Sequence, residues 1–210
     1  MPNWDTLAQL ATAAGTLVLA AATFASVRAG GRSTRLAEQS LLAQLQPLLL
    51  PSRLEDPPEK VGFRDNRWIR VGGGRGYAEA TDQAIYLAMA VRNVGSGVAV
   101  LNRWRLYPGR MQGESDRPDP REFRRLTRDL YIAGGDRGFW QGTFRDPSEP
   151  AFAQAADLVR RRESFSIDVL YGDTEGAQRI VTRFVLIPGN EDAWVVSVSR
   201  HWNMDRPDPR

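Results

Sequence analysis

The stretch SFSIDVLYGDTEGAQRIVTRFVLI, residues 164–187, decides the fold class of this chain. In its first part, apolar side chains at positions 165, 167, 169 and 171 alternate with polar ones, which is typical of a strand with one buried face. Residues 178–187 are apolar on both faces, which predicts a strand covered on both sides. Turn-forming residues at 172–176 separate the two parts, so we predict an antiparallel hairpin.

The same two-residue period recurs on both sides of this hairpin. Further strands are predicted at 84–92, 98–107 and 194–199, with weaker candidates at 68–71, 128–133 and 138–145. One short helix, at about 150–162, interrupts the series. Seven or eight antiparallel strands at this spacing predict a mainly β chain, folded as an Ig-like β-sandwich.

The segment Asn93-Val-Gly-Ser-Gly97 lies between the first two of these strands. Asn93, Gly95 and Gly97 are residue types that accept the positive φ of tight turns. We therefore predict a structural hairpin here, in which residues 84–92 pair with residues 98–107.

The N-terminal region contains a long segment without charged residues. Residues 6–27 carry no charged side chain. As a helix they would extend about 33 Å, which matches a hydrocarbon core of about 30 Å. We predict a single transmembrane helix that anchors the chain in a membrane through residues 6–27. A buried helix of a soluble protein and a cleavable signal peptide are the two alternatives.

Charges flanking this segment predict its direction in the membrane. Arg28, Arg32 and Arg35 follow the apolar residues, whereas Asp5 precedes them. Basic residues that flank a span stay in the cytoplasm. We therefore expect a single-pass protein of the plasma (inner) membrane, with its N-terminus outside and its β domain in the cytoplasm.

Small residues form a stripe along the predicted span: Ala8, Thr12, Gly15, Thr16 and Ala20. Such a stripe lets a second helix approach closely, which predicts homo-oligomers formed through the transmembrane helix. The alternative explanation needs no self-association, because an alanine-rich helix always has one face of small residues.

The glycine pair at 30–31 is expected to interrupt the helix just after the membrane, and a second helix is expected to end at Pro47. The predicted organisation has four parts. They are a transmembrane anchor at 1–31, a juxtamembrane helix at 32–47, a β-sandwich domain at 48–203 and a disordered tail at 204–210.

Residue types exclude several kinds of chemistry. The 210-residue chain has no cysteine, a single histidine, His201, and a single lysine, Lys60. These counts exclude thiolate metal sites, histidine metal cages and a cysteine nucleophile, and they disfavour a lysine Schiff base. We assign no catalytic, cofactor-binding or metal-binding residue, and no cofactor. The net charge of +3 is spread along the chain, so no nucleic-acid partner is expected.

Two other patterns have simple structural explanations. The segment GGGRG at 72–76 lacks the Gly-Lys-Ser/Thr and the following helix of a phosphate loop, so we predict a flexible surface loop. Basic runs at 160–162 and 121–128 include acidic neighbours, and we interpret them as solvated charge. The alternative for these runs is contact with anionic lipid.

Three features together give the chain a familiar plan: the charge-free helix followed by arginines, AQLQPLLLP at 43–51, and AVRNVGSGVAV at 90–100. In this plan the chain resembles small single-pass membrane proteins that are common in high-GC bacteria. The resemblance implies an anchor helix, a short helix and a β-sandwich. That group has no assigned activity, so the resemblance transfers no functional residue.

The expected function is that of a non-enzymatic β-sandwich module that binds or scaffolds a protein partner at the inner face of the membrane. One alternative is an extracytoplasmic module of reversed topology that binds the envelope or a ligand. The other is an enzyme with a dispersed carboxylate site. A pocket of converging charged groups would favour the enzyme, and a flat exposed apolar or aromatic patch would favour the interaction module.

Overall fold

The computed structural model describes residues 3–110, 117–176, 178–190 and 193–206. The chain divides into two compact units, Met1–Gln44 and Leu45–Arg210. The helices are α1 (Trp4–Gln44) and α2 (Pro150–Arg160). The strands are β1 (Leu49–Pro51), β2 (Glu59–Gly62), β3 (Trp68–Val71), β4 (Arg75–Ala80), β5 (Ile85–Asn93), β6 (Ala99–Pro108), β7 (Arg124–Ile132), β8 (Arg137–Phe144), β9 (Phe165–Gly172), β10 (Arg179–Pro188) and β11 (Trp194–Asn203).

One uninterrupted helix, α1, runs through the first unit. The expected break at Gly30 and Gly31 is therefore wrong, and residues 32–47 are not a separate helix. A glycine inside a helix costs only about 1 kcal/mol relative to alanine, and good helix formers flank this pair on both sides. The helix ends at Gln44, three residues before Pro47, whose ring disfavours helical conformation in the residues that precede it.

Within α1, the segment Ala8–Arg28 is long and apolar enough to cross a membrane. The hydroxyls of Thr12, Thr16 and Thr23 each donate to the carbonyl oxygen four residues earlier, at 2.8–2.9 Å. The helix thus satisfies these polar side chains by itself. The five residues of the small stripe are exposed on this helix, and its role in self-association stays a prediction.

The second unit is a curled antiparallel sheet. Eight strands follow one another in the order β8-β5-β4-β11-β10-β9-β6-β7, and the short β1 pairs with β5 next to β4. Strands β2 and β3 form a separate two-stranded sheet. One continuous ladder joins the eight strands, so the mainly β, antiparallel fold is confirmed and an Ig-like sandwich of two separate sheets is not.

The two predicted hairpins have different outcomes. Strands β9 and β10 pair antiparallel, as predicted. Strands β5 and β6 do not pair: β5 pairs with β1, β4 and β8, and β6 pairs with β7 and β9. The hairpin prediction for residues 93–97 is therefore wrong, because this segment carries the chain from one part of the sheet to another.

The glycines of this crossing are needed for a different reason from the one predicted. Neither Gly95 nor Gly97 has a positive φ. A Cβ at Gly95 would overlap the carbonyl oxygen of Gln46, and one at Gly97 would overlap that of Leu45. Asn93 is fully buried and donates to the carbonyl oxygens of Gly97 and Ile132, at 2.6 and 3.1 Å. The crossing is thus packed closely against the chain that enters the β unit.

Two segments expected to be loose are ordered. The glycines of 72–76 connect β3 to β4 in a tight, largely buried turn, so the surface-loop prediction is wrong. At Gly74, whose φ is +61°, an added Cβ would lie 2.9 Å from Leu54. Residues 204–206, predicted to begin a disordered tail, are ordered, and the Asp205 carboxylate binds the Arg179 guanidinium at 2.6 and 2.9 Å. Residues 207–210 lie outside the described part of the chain.

The main core fills the inside of the curl. Trp104 of β6 meets Trp140 and Phe144 of β8 edge-on, with ring centroids 5.3 and 5.1 Å apart. Helix α2, confirmed close to its predicted position, adds one apolar face to this core. Its buried residues are Phe152, Ala155, Ala156, Leu158 and Val159.

Candidate functional site

A cleft opens between β7 and β8. These strands are consecutive in the chain, yet among the described residues β7 pairs only with β6 and β8 pairs only with β5. They are therefore the two edges of the curled sheet, and the sheet does not close between them. The cleft has a volume of about 470 Å³.

An irregularity in β7 helps to separate the two edges. Leu101 is opposite Leu130, and Arg103 is opposite Arg125. The four residues Leu126–Asp129 therefore face the single residue Asn102. A bulge of this kind bends the strand that carries it. In the sequence, Asn102 interrupts the row of apolar side chains at 98, 100, 104 and 106.

Four arginines line the cleft: Arg64, Arg125, Arg128 and Arg145. No aspartate or glutamate is among the described residues that line it. Arg64, Arg125 and Arg128 form no ion pair with any residue that the structure describes. The cleft is therefore strongly cationic.

The fourth arginine is partly neutralised. Arg145 lies 3.4 Å from the carboxylate of Asp65. The hydrogen bond that the Tyr86 hydroxyl donates to Asp65, together with Arg145, lowers the pKa of this carboxyl below its usual value. The same hydrogen bond raises the pKa of Tyr86. Asp65 thus stays ionised and orients Arg145 at the edge of the cleft.

Neighbouring residues of β7 have different roles. Arg124 donates to Glu149 at 2.8 Å and stacks on the ring of Phe144, with its guanidinium carbon 4.5 Å from the centroid. Arg125, the next residue, is exposed and lines the cleft. Successive side chains of a strand point to opposite faces, so Arg124 has a structural role and Arg125 is available to a ligand.

Aromatic rings form the floor and one wall. Trp104 lines the cleft from below and is almost completely buried. A Cβ at Gly142 would lie 2.9 Å from Trp104 and 2.7 Å from Trp140, so glycine lets the backbone of β8 approach these rings. Trp68 forms the wall and is 61% exposed.

The hairpin of β2 and β3 holds Trp68 in place. Its ring packs directly on Gly62, where a Cβ would lie 2.8 Å from the ring, and the Lys60 ammonium is 4.6 Å from the ring centroid. Val61 and Phe63 bury their side chains against β5. The wall is therefore fixed to the sheet, although much of the Trp68 ring remains open to solvent.

One polar atom of the cleft has no partner. The Oε1 atom of Gln141, a lining residue on β8, is buried and accepts no hydrogen bond from the described residues. An unsatisfied buried acceptor costs about 1–3 kcal/mol.

His201 lies elsewhere, within β11, and has a structural environment. Its Nδ1 is 2.7 Å from Thr182 Oγ1, which is 2.8 Å from the hydroxyl of Tyr171. The Tyr171 oxygen also accepts the backbone N–H of Leu49 at 3.1 Å. Complete burial raises the pKa of Tyr171 to about 12. This chain of hydrogen bonds links four strands through the interior.

None of the site residues assigned from the sequence lines the cleft. Arg28 lies on α1 at the end of the apolar segment, and Arg32 and Arg35 follow on the same helix. Asn93, Gly95 and Gly97 form the crossing described above. The nearest sequence signal was the basic run at 121–128, which contributes Arg125 and Arg128.

The chemistry of the cleft is that of anion binding. Its charged groups are all cations, and no cluster of three or more histidine, aspartate or glutamate residues suited to a metal occurs among the described residues. Comparisons with protein-family models, with curated proteins and with solved structures find no match to this chain. The geometry alone therefore supports a functional proposal.

Proposed function

We propose that this chain is a membrane-anchored, non-enzymatic β module that binds a protein partner at the cytoplasmic face of the membrane. The observation that carries the proposal is the cationic cleft between β7 and β8, on a unit that follows an apolar helix in the same chain.

The composition of the cleft supports recognition of a protein. Tryptophan and arginine are the residues that most often dominate binding energy at protein interfaces. Here Trp68 is exposed beside Arg64, and the floor under them is a rigid aromatic core. A preformed site of this kind loses little conformational entropy on binding.

Converging charges were expected to favour an enzyme with carboxylates, but the charges here are all arginines. Guanidinium groups hold anions through paired N–H donors and do not exchange protons near neutral pH. The cleft therefore fits the recognition of an anionic partner better than acid–base catalysis.

Membrane attachment and direction rest on α1. The segment Ala8–Arg28 has the length of a span, and Arg32 and Arg35 follow it. By the positive-inside rule, this arrangement supports a cytoplasmic β unit. A partner at this face would be a cytoplasmic protein or the cytoplasmic part of another membrane protein.

Site-specific photocrosslinking in living cells tests the proposal. A photoreactive amino acid replaces Thr127, an exposed lining residue of the cleft, and in a matched variant it replaces Thr174, which is exposed in the turn between β9 and β10. We expect a discrete protein adduct at position 127, identified by mass spectrometry, that is absent at position 174. The adduct should disappear when Arg128→Glu is added. Equal patterns at both positions, or no adduct from a well-expressed chain, would contradict the proposal.

A further inference from the structure

We infer that the cleft binds an acidic, extended peptide segment of the partner, which adds as a strand along the free edge of β8. This inference rests on the proposed function and names the chemistry of the partner's segment.

The free edge of β8 is suited to strand addition. Strand β8 pairs with β5 in unbroken register from Arg137 to Phe144, so its backbone is regular along its whole length. The facing strand β7 is interrupted by its bulge at 126–129. A regular edge presents evenly spaced N–H and C=O groups, which an incoming strand pairs with, whereas a bulged edge does not.

The cleft leaves room beside this edge. Gln141, Gly142 and Thr143 of β8 line it. The position that a side chain of residue 142 would take is occupied by the rings of Trp104 and Trp140, so the room for an added strand is the cleft itself. The cleft has a volume of about 470 Å³, and three to four residues of an extended chain span roughly 10–13 Å.

Charge indicates what kind of side chain the segment carries. Arg64, Arg125 and Arg128 face the cleft without an ion pair to any described residue. Guanidinium groups bind carboxylates through two parallel hydrogen bonds, and such pairs are stronger than neutral hydrogen bonds. Aspartate or glutamate at every second position of an added strand would meet them on one face.

An exposed aromatic ring indicates a second kind of side chain. Trp68 forms one wall of the cleft and is 61% exposed. An apolar or aromatic side chain between two acidic residues would pack here. The expected pattern is therefore an alternation of acidic and apolar residues.

The free strand edge favours a peptide over a phosphate ligand. An extended peptide supplies both N–H donors and C=O acceptors to the backbone of β8, whereas the phosphodiesters of a lipid or a nucleic acid supply acceptors alone. The edge and the charge together point to a carboxylate-bearing peptide.

Fluorescence anisotropy with the full-length chain in detergent micelles tests the inference. The probe is the labelled heptapeptide Thr-Glu-Val-Glu-Leu-Glu-Thr. One control replaces its glutamates by lysine, and a second keeps the glutamates but carries N-methyl groups on alternate backbone nitrogens, which removes donors to a strand edge. We expect a Kd of roughly 100 µM or tighter for the probe, and at least tenfold weaker binding for both controls.

Variants locate the binding to the cleft. Arg128→Glu should weaken binding of the probe at least tenfold. Arg53→Glu makes the same charge change at an exposed residue outside the lining, and it should change binding less than threefold. Circular dichroism and the thermal midpoint of each variant confirm that it is folded.

Three outcomes would overturn the inference. Equal binding of the N-methylated and parent peptides would show electrostatic attraction without strand addition. Tighter binding of a decameric oligouridine or of phosphatidylserine vesicles would indicate a phosphate ligand instead. No binding of the acidic probe, with a partner still crosslinked at position 127, would leave the proposed function standing and reject the acidic strand. Absence of a crosslinked partner would instead contradict the proposed function.

Discussion

The hydroxyl oxygen of Tyr171 lies 3.1 Å from the backbone nitrogen of Leu49 and accepts its N–H across 122 residues of chain. The same oxygen is 2.8 Å from Thr182 Oγ1, which is 2.7 Å from Nδ1 of His201. One buried hydroxyl therefore connects β1, β9 and β10, and through Thr182 it reaches β11. This hydrogen bond helps to hold the three-residue strand β1, which also pairs with β5.

The Tyr171→Phe variant tests this connection. Phenylalanine keeps the ring but leaves the N–H of Leu49 without this acceptor, and it removes a partner of Thr182. An unsatisfied buried polar group costs about 1–3 kcal/mol, so we expect the free energy of unfolding to fall by that amount. Denaturant unfolding of the full chain in micelles, followed by tryptophan fluorescence, measures the change.

Tyr131→Phe is the matched control, because Tyr131 is 66% exposed. Its loss of a hydroxyl should change the free energy of unfolding by less than about 0.5 kcal/mol, as for most surface substitutions. Equal effects of the two variants would show that the buried hydroxyl does not stabilise the fold.

Alkaline pH provides a second test of Tyr171. Burial raises its pKa from 10 in the unfolded chain to about 12 in the folded one. Between these values the unfolded state loses a proton that the folded state keeps, so stability falls as pH rises from 10 to 12. Two pH units correspond to about 2–3 kcal/mol. We expect this part of the alkaline loss to be missing in Tyr171→Phe; identical pH profiles of the two proteins would contradict the assignment.

The crossing at residues 93–97 gives another prediction. A Cβ at Gly97 would overlap the carbonyl oxygen of Leu45, which is backbone and cannot move aside without displacing the chain. We expect Gly97→Ala to lower the free energy of unfolding by more than about 1 kcal/mol. At Gly72 a Cβ would meet only the Arg75 side chain, at 3.5 Å, and φ is not positive, so Gly72→Ala is the matched control. Unchanged denaturant midpoints for both would show that the crossing is not tightly packed.

The two-residue period predicted the long strands well and their pairing less well. The runs at 84–92, 98–107 and 178–187 correspond to β5, β6 and β10 within one residue at each end. The period reports which face is buried but not which strand is the neighbour, so the glycine-rich crossing was mistaken for a hairpin. Strand β1 was missed because three residues that end in proline carry no detectable period.

The cleft could not be predicted from the sequence, for a related reason. Its lining comes from the 62–68 turn, from Trp104, and from β7 and β8. The first two are distant from the last two in sequence, and β7 and β8 carry no recognisable motif. Arg124 and Arg125 look equivalent in the chain, yet one stacks on the core and the other lines the cleft. The two-residue period places them on opposite faces of β7, but which face borders the cleft depends on the curl of the sheet.

The direction of the membrane segment is the final prediction. Moving one charge against the membrane potential costs about 2.3 kcal/mol per 100 mV. Arg28, Arg32 and Arg35 all follow the apolar residues, and Asp5 is a charged side chain that precedes them. Translocating the β unit would require moving these arginines outward, so we expect the N-terminal side outside and the β unit in the cytoplasm.

Because the chain has no cysteine, cysteines introduced one at a time report on which side of the membrane each position lies. Asn3→Cys precedes the span, and Thr174→Cys is exposed in the turn between β9 and β10. With a membrane-impermeant maleimide added to intact cells, we expect labelling at position 3 and protection at position 174 until the cells are lysed. The reverse pattern would overturn the cytoplasmic assignment and support an extracytoplasmic module, because the cleft would then face the envelope. Labelling of both positions in intact cells, or of neither, would contradict a single span, since one crossing must place the two cysteines on opposite sides.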